Sequence, residues 1–199
     1  MTREQLAELK RLPIEVLDRF GVVQAGEVVL LRYVDAHGAP ARSRIRTGLR
    51  GVDGTAWDPG SADLPVVPYF PPAARDLAAS TKELVVVEGE SDCWVAAQYG
   101  IAAAGIPGSD RWGCIRRDDL AGVERLFIVW EDDDPRTYPD GFDAYARGIA
   151  PHVEGLGWHG EVRRVDLPDG ISDLSDLHLS EDVDFADGWA AAVAGSRPL

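Results

Sequence analysis

Two apolar runs that each end in acid constrain this chain more than any other feature. "LVVVEGESD", Leu84 to Asp92, is a stretch of β-branched residues that stops at Glu88-Gly89. "LFIVWEDDD", Leu126 to Asp134, repeats the arrangement further along. Runs this short and this continuously apolar read as strands buried on both faces, the kind found in parallel sheets covered by helices. The sequence around them alternates accordingly. A helix is expected from Ser91 to Tyr99, closed by Gly100, then a short strand over 101–104, the loop "GIPGSDRWG" and a helical turn around 117–122. After the second run come a helix over 141–153 interrupted at Pro151, a strand over 161–165 and a last helix over 183–194. In open α/β sheets functional groups gather beyond the carboxyl ends of the strands, and both acid clusters lie there.

The segment before residue 81 reads differently. Residues 2–20 carry an amphipathic helical pattern broken by Pro13, with Leu6, Leu9, Ile14, Val16 and Leu17 as apolar contacts. "GEVVLLRYVDAHGAPARSRIRT" reads as a β-hairpin turning at residues 35–38, and proline and glycine then crowd residues 51–72 into a loop. The expected division is a small helix-plus-hairpin subdomain over 1–80 and an α/β catalytic domain over 81–199.

Charge follows the same division. Residues 1–82 hold 11 basic against 10 acidic side chains, and residues 83–199 hold 9 against 24, so the net charge of −14 belongs to the second part. A balanced first part keeps nucleic acid open as a partner despite the acidic total. No apolar stretch has the length of a membrane span and the N-terminus lacks a signal-peptide pattern, so the expected location is cytoplasmic. Cys93 and Cys114 form no CxxC pair and read as small apolar residues. The four histidines are scattered, and Trp57, Trp94, Trp112 and Trp130 read as core or cleft-lining aromatics.

Several residues carry candidate chemistry. Glu88 ends a strand where Gly89 permits a tight turn, while Ser91 and Asp92 are placed to cap the following helix, with Asp92 a metal neighbour second. The adjacent acids Glu131, Asp132, Asp133 and Asp134 repel one another unless a cation gathers them. Side chains alternate in extended backbone, so either Glu131 with Asp133 or Asp132 with Asp134 aims at one metal ion. In "ARSRIRT", Arg42, Arg44 and Arg46 share one face of a strand at about 7 Å spacing, which suits a phosphate backbone and also suits a protected sheet edge.

Taken together, these motifs resemble the TOPRIM domain of bacterial-type primases, topoisomerases, recombination-repair proteins and OLD-type nucleases. Glu88 matches the family's glutamate after its first strand, and the 131–134 run matches its D-x-D in one of two registers. Asp173 and Asp176 of "VDLPDGISDLSDL" fall where primases carry further metal-binding acids, and "GIAAAGIPGSDRW" resembles the glycine-bearing second strand and loop. The resemblance covers residues 82–180, and more loosely the basic β-rich segment that precedes this domain in primase-like proteins of phages and plasmids. "PRTYPD" departs from the pattern by separating the acids from Gly141. No zinc-binding or helicase module is visible, which speaks against a self-sufficient replicative primase.

The resemblance implies a primase-like enzyme of mobile-element or phage DNA replication, performing Mg²⁺-dependent nucleotidyl transfer, with Mn²⁺ as a substitute. Glu88, Asp132 and Asp134 would hold the metal, with Glu131, Asp133 and Asp173 as alternates. Arg42, Arg44 and Arg46 would grip single-stranded DNA, nucleotides would be the co-substrate, and a separate helicase is a candidate partner. The same carboxylates serve a nuclease, and a non-enzymatic DNA-binding scaffold would keep the fold without the reaction.

Overall fold

A computed structural model describes residues 1–48, 54–108, 111–130 and 141–199, with backbone course alone over 141–147. The chain opens with two short helices rather than one. Helix α1 (Arg3–Leu9) starts at Thr2, whose hydroxyl and the Gln5 side chain form a reciprocal capping box, and α2 (Ile14–Arg19) starts after Pro13. Strands β1 (Val22–Ala25), β2 (Val28–Val34), β3 (Pro40–Arg46) and β4 (Thr55–Trp57) then form an antiparallel sheet in that order. The β2–β3 hairpin is the one expected. Its turn is fixed by the Asp35 carboxylate, which accepts the N–H groups of His37 and Ala39 at 2.9 Å each.

The stretch expected to be loop contains more order than its prolines suggest. It holds β4, and Tyr69 makes an isolated antiparallel bridge to Gly105. Helix α3 (Pro72–Thr81) follows at once, with proline in its first turn, where a missing N–H costs nothing.

Strand β5 (Glu83–Glu88), α4 (Glu90–Gln98), β6 (Ala103–Ile106), β7 (Arg125–Trp130), α5 (Gly141–Gly155) and β8 (Glu161–Asp166) build the expected parallel sheet. Helices α6 (Leu174–Leu179) and α7 (Phe185–Ala194) complete one face. An unanticipated two-residue strand β9 (Arg197–Pro198) pairs antiparallel with β8, giving the order β6-β5-β7-β8-β9. Pro151 is accommodated inside α5.

Strand alternation explains why β5 and β7 are apolar throughout. Val85, Val87, Phe127 and Val129 point into one core cluster, whereas Leu84, Val86, Leu126 and Ile128 point into the other. The first cluster also contains Leu6, Leu17, Leu31 and Tyr33 from the amino-terminal elements, together with Trp94 of α4. The antiparallel sheet and the parallel sheet therefore share a core. Tyr69 stitches them: its hydroxyl donates to the Phe20 carbonyl at 3.1 Å and accepts from the Trp94 indole at 3.0 Å. No described helix is long and apolar enough to cross a membrane.

Candidate active site

Strand β5 delivers Glu88 to the carboxyl edge of the sheet, beside Ile106 of β6. Gly89 follows with φ of 91°, a backbone conformation that side-chain-bearing residues rarely adopt. Its N–H donates to the Ile106 carbonyl at 3.0 Å. Neighbouring Gly105 is equally constrained, because a Cβ there would lie 2.2 Å from the Gly89 carbonyl oxygen. Two glycines thus let β6 press against the turn that carries Glu88.

Helix α4 begins without a side-chain cap, and Gly89 occupies the cap position. The expectation that Ser91 and Asp92 cap this helix is corrected here. Asp92 is 2% exposed, and its Oδ1 accepts the Ser175 N–H at 2.9 Å and the Ser175 hydroxyl at 2.7 Å. Burial, and next the charge of Asp173, push the Asp92 carboxyl up to about 7. Asp173 caps α6 by accepting the Asp176 N–H at 2.6 Å, and burial raises its own pKa. Lys10 opposes both shifts. The buried carboxyl of Asp92 on α4 and the half-buried one of Asp173 at the α6 cap therefore lie within electrostatic reach of each other, an arrangement that disfavours charging both.

Glu90, unremarked in the sequence, is the second buried acid of this turn, 5% exposed. It accepts the Tyr33 hydroxyl at 2.5 Å and faces the Arg44 guanidinium at 3.4 Å. Burial, followed by the Glu90 charge, raises the Tyr33 pKa well above the ordinary phenol value. The antiparallel sheet is thus tied by charge to the residue two places beyond Glu88.

The three arginines occupy β3 with Ser43 buried between them. The guanidinium groups of Arg42 and Arg44 lie 5.1 and 5.6 Å from the Trp57 ring centre. The Arg46 Nε reaches the Gly48 carbonyl at 3.4 Å, and burial lowers its pKa. The strand is cationic on one face, but Arg44 is engaged inward by Glu90.

Hard oxygen donors such as those of Glu88, Asp92 and Asp173 match Mg²⁺. Among the described residues, no three histidine, cysteine or acidic side chains close into a metal-binding group. Glu131, Asp132, Asp133 and Asp134 lie outside the described residues, so the register of that run does too. Asp92 is the acid the sequence reading undervalued. The available signal was its spacing, one helical turn past Glu88 and directly before the apolar run Cys93–Ala97.

No family model and no curated protein matches this chain. Several solved structures do. A DnaG primase catalytic domain bound to single-stranded DNA superposes with a TM-score of 0.71 at 20% identity, over 98% of this chain and 71% of that one. The E. coli primase catalytic core gives 0.66 at 18% identity, over 98% and 73%. The RNA polymerase domain of Mycobacterium tuberculosis DnaG, in complex with a double-stranded DNA oligomer with a 6-nucleotide overhang, gives 0.55 at 18% identity, over 98% and 64%. The chain has the fold of primase catalytic cores, including both its antiparallel and its parallel sheet.

Proposed function

We propose that this chain is a primase-like nucleotidyltransferase that extends a nucleic-acid strand on a single-stranded DNA template. The observation that carries the proposal is a juxtaposition: Glu90, two residues beyond Glu88 at the carboxyl edge of the parallel sheet, is bonded directly to Tyr33 and Arg44 of an arginine-bearing sheet within one shared core. Likeness to primase cores over 98% of the chain supports the same reading and favours it over a nuclease.

Glu88, Asp92 and Asp173 would supply oxygen donors to Mg²⁺, or to Mn²⁺ in its place, together with the 131–134 run. A metal ion bound there would supply Lewis-acid chemistry, favouring ionisation of an attacking hydroxyl and offsetting negative charge on a leaving pyrophosphate. The Gly89 turn holds Glu88 in place with little backbone freedom, which keeps the carboxylate oriented before substrate arrives. Arg42 and Arg46 would contact template phosphates, and Arg44 would position the turn through Glu90. In this role the chain would act in the replication of a phage or other mobile element, beside a separate helicase.

The test is incubation of the protein with a single-stranded template, labelled nucleotides and Mg²⁺. Template-dependent products that disappear in Glu88→Gln support the assignment. Fragmentation of the template instead would make the protein a nuclease, and neither outcome with intact DNA binding would make it a scaffold.

A further inference from the structure

Beyond the carboxyl ends of β7 and β8 lies a groove of about 360 Å³, lined by Trp130, Arg164, Asp166, Asp169 and Ser172 among others. That volume is near the lower bound for small-molecule sites. Trp130 and Asp166 are paired across the two strands, which puts Trp130 and Arg164 diagonally adjacent on one face. The Arg164 guanidinium carbon lies over the Trp130 ring, 3.3 Å from its centre, a separation at which cation and ring are in contact.

The plane of that guanidinium is fixed. Its Nε donates to Asp166 Oδ1 at 2.5 Å, its Nη2 pairs with the same oxygen, and Arg197 holds Asp166 Oδ2 at 3.3 Å. Arg164 keeps 21% of its side chain exposed and borders the groove. An arginine held against an indole where both line a groove is a ready surface for another planar group, because little freedom is lost when that group stacks on it. The lining also selects the ligand. Asp169 disfavours a bare phosphate, whereas its carboxylate can accept hydrogen bonds from exocyclic amino groups.

We propose that Trp130 and Arg164 form a nucleobase-stacking site. The base belongs either to a free nucleotide or to an unpaired position of a strand. The site complements the polymerase reading, but its binding chemistry does not depend on Glu88.

The probes are adenosine monophosphate, a short oligodeoxyadenylate and the same oligomer with abasic sugars, each titrated into the intact protein without metal. Binding is followed by tryptophan fluorescence and calorimetry. A base-bearing probe should quench fluorescence, and the quench should vanish in Trp130→Phe although six tryptophans are present in the parent chain. Trp130→Leu and Arg164→Lys should each lower affinity about tenfold, within the range for loss of one stacked base. Arg164→Lys keeps the charge and discards the plane, so wild-type affinity in that variant would overturn the proposal. So would equal binding of the abasic oligomer, a quench that survives in Trp130→Phe, or no binding by either base-bearing probe. Binding of the monophosphate assigns the site to free nucleotides, and binding of the oligomer alone assigns it to a strand. Glu88→Gln should leave all these affinities unchanged, so an absence of polymerase activity would leave this result standing.

Discussion

Asp92→Asn should make the protein more stable at neutral pH while removing its metal response. A carboxyl raised from 3.8 to about 7 by burial and by Asp173 stays protonated in the fold at pH values where the unfolded chain has already ionised. Between about pH 4 and pH 7 the native state therefore binds the extra proton, and stability falls as pH rises through this window. Below pH 4 the cost is absent, and above pH 7 it is complete. At 1.36 kcal/mol per pKa unit the ceiling is about 4 kcal/mol. Asparagine keeps an oxygen to accept from the backbone and hydroxyl of Ser175. Half the ceiling, about 2 kcal/mol, corresponds to a Tm increase of roughly 4–8 °C for a chain this size. Thermal melts at pH 4 and pH 8, with and without Mg²⁺, would read it. The variant should melt with the parent at pH 4 and above it at pH 8. Mg²⁺ should raise the parent's Tm and leave the variant's unchanged. Destabilisation at pH 8 by more than about 1 kcal/mol would refute the reasoning, because the charge would then be structural.

Other perturbations separate the remaining roles. Glu88→Gln should abolish Mg²⁺-dependent activity and change stability by less than about 1 kcal/mol, checked by extension assay and urea unfolding. Arg44→Ala should cost about 2–3 kcal/mol in urea unfolding, because it strands the buried Glu90 carboxylate, whereas Arg42→Ala should cost under about 1 kcal/mol. Equal costs would mean that the pair with Glu90 contributes nothing. Replacing Arg42, Arg44 and Arg46 together by Ala should weaken single-stranded DNA binding and reduce the log–log salt slope by about 1.4, the share of the two phosphate contacts of Arg42 and Arg46, and an unchanged slope would return the strand to a protected edge. Calorimetry of Mg²⁺ binding in Glu131→Gln, Asp132→Asn, Asp133→Asn and Asp134→Asn should show large losses at 132 and 134 and small ones at 131 and 133. The reverse ranking would shift the register by one residue.

What the sequence disclosed and what it concealed differ in range. Strands β5 and β7 were legible because burial on two faces leaves no polar position between their ends, and Glu88 because it interrupts that rule. The β2–β3 hairpin was legible from its turn residues. Short elements were lost: β4 has three residues and β9 two, too few to establish a period. Helix α3 was hidden by Pro71-Pro72, since proline marks a loop and a helical first turn alike. Asp92 was ranked as a cap before a metal neighbour, and Glu90 was missed, for a different reason. Local patterning made Asp92 a cap, but Ser175 is 83 positions away, and the Tyr33 that meets Glu90 is 57 away. Contacts of that range are set by how the sheets stack.

The shared core limits how the chain can be recombined. Cutting it near residue 80 would split the cluster in which Trp94 and Val87 are buried with Leu6, Leu17 and Leu31, and would break the hydrogen bond from the Trp94 indole to the Tyr69 hydroxyl. Half of such a pair would carry an open apolar face, prone to association. Exchange between relatives, whether by natural shuffling or by fusion in the laboratory, should therefore succeed when the two sheets travel as one cassette. A graft of the acid-bearing sheet onto a foreign strand-gripping sheet would have to rebuild the Tyr33–Glu90–Arg44 seam before it could be judged for activity.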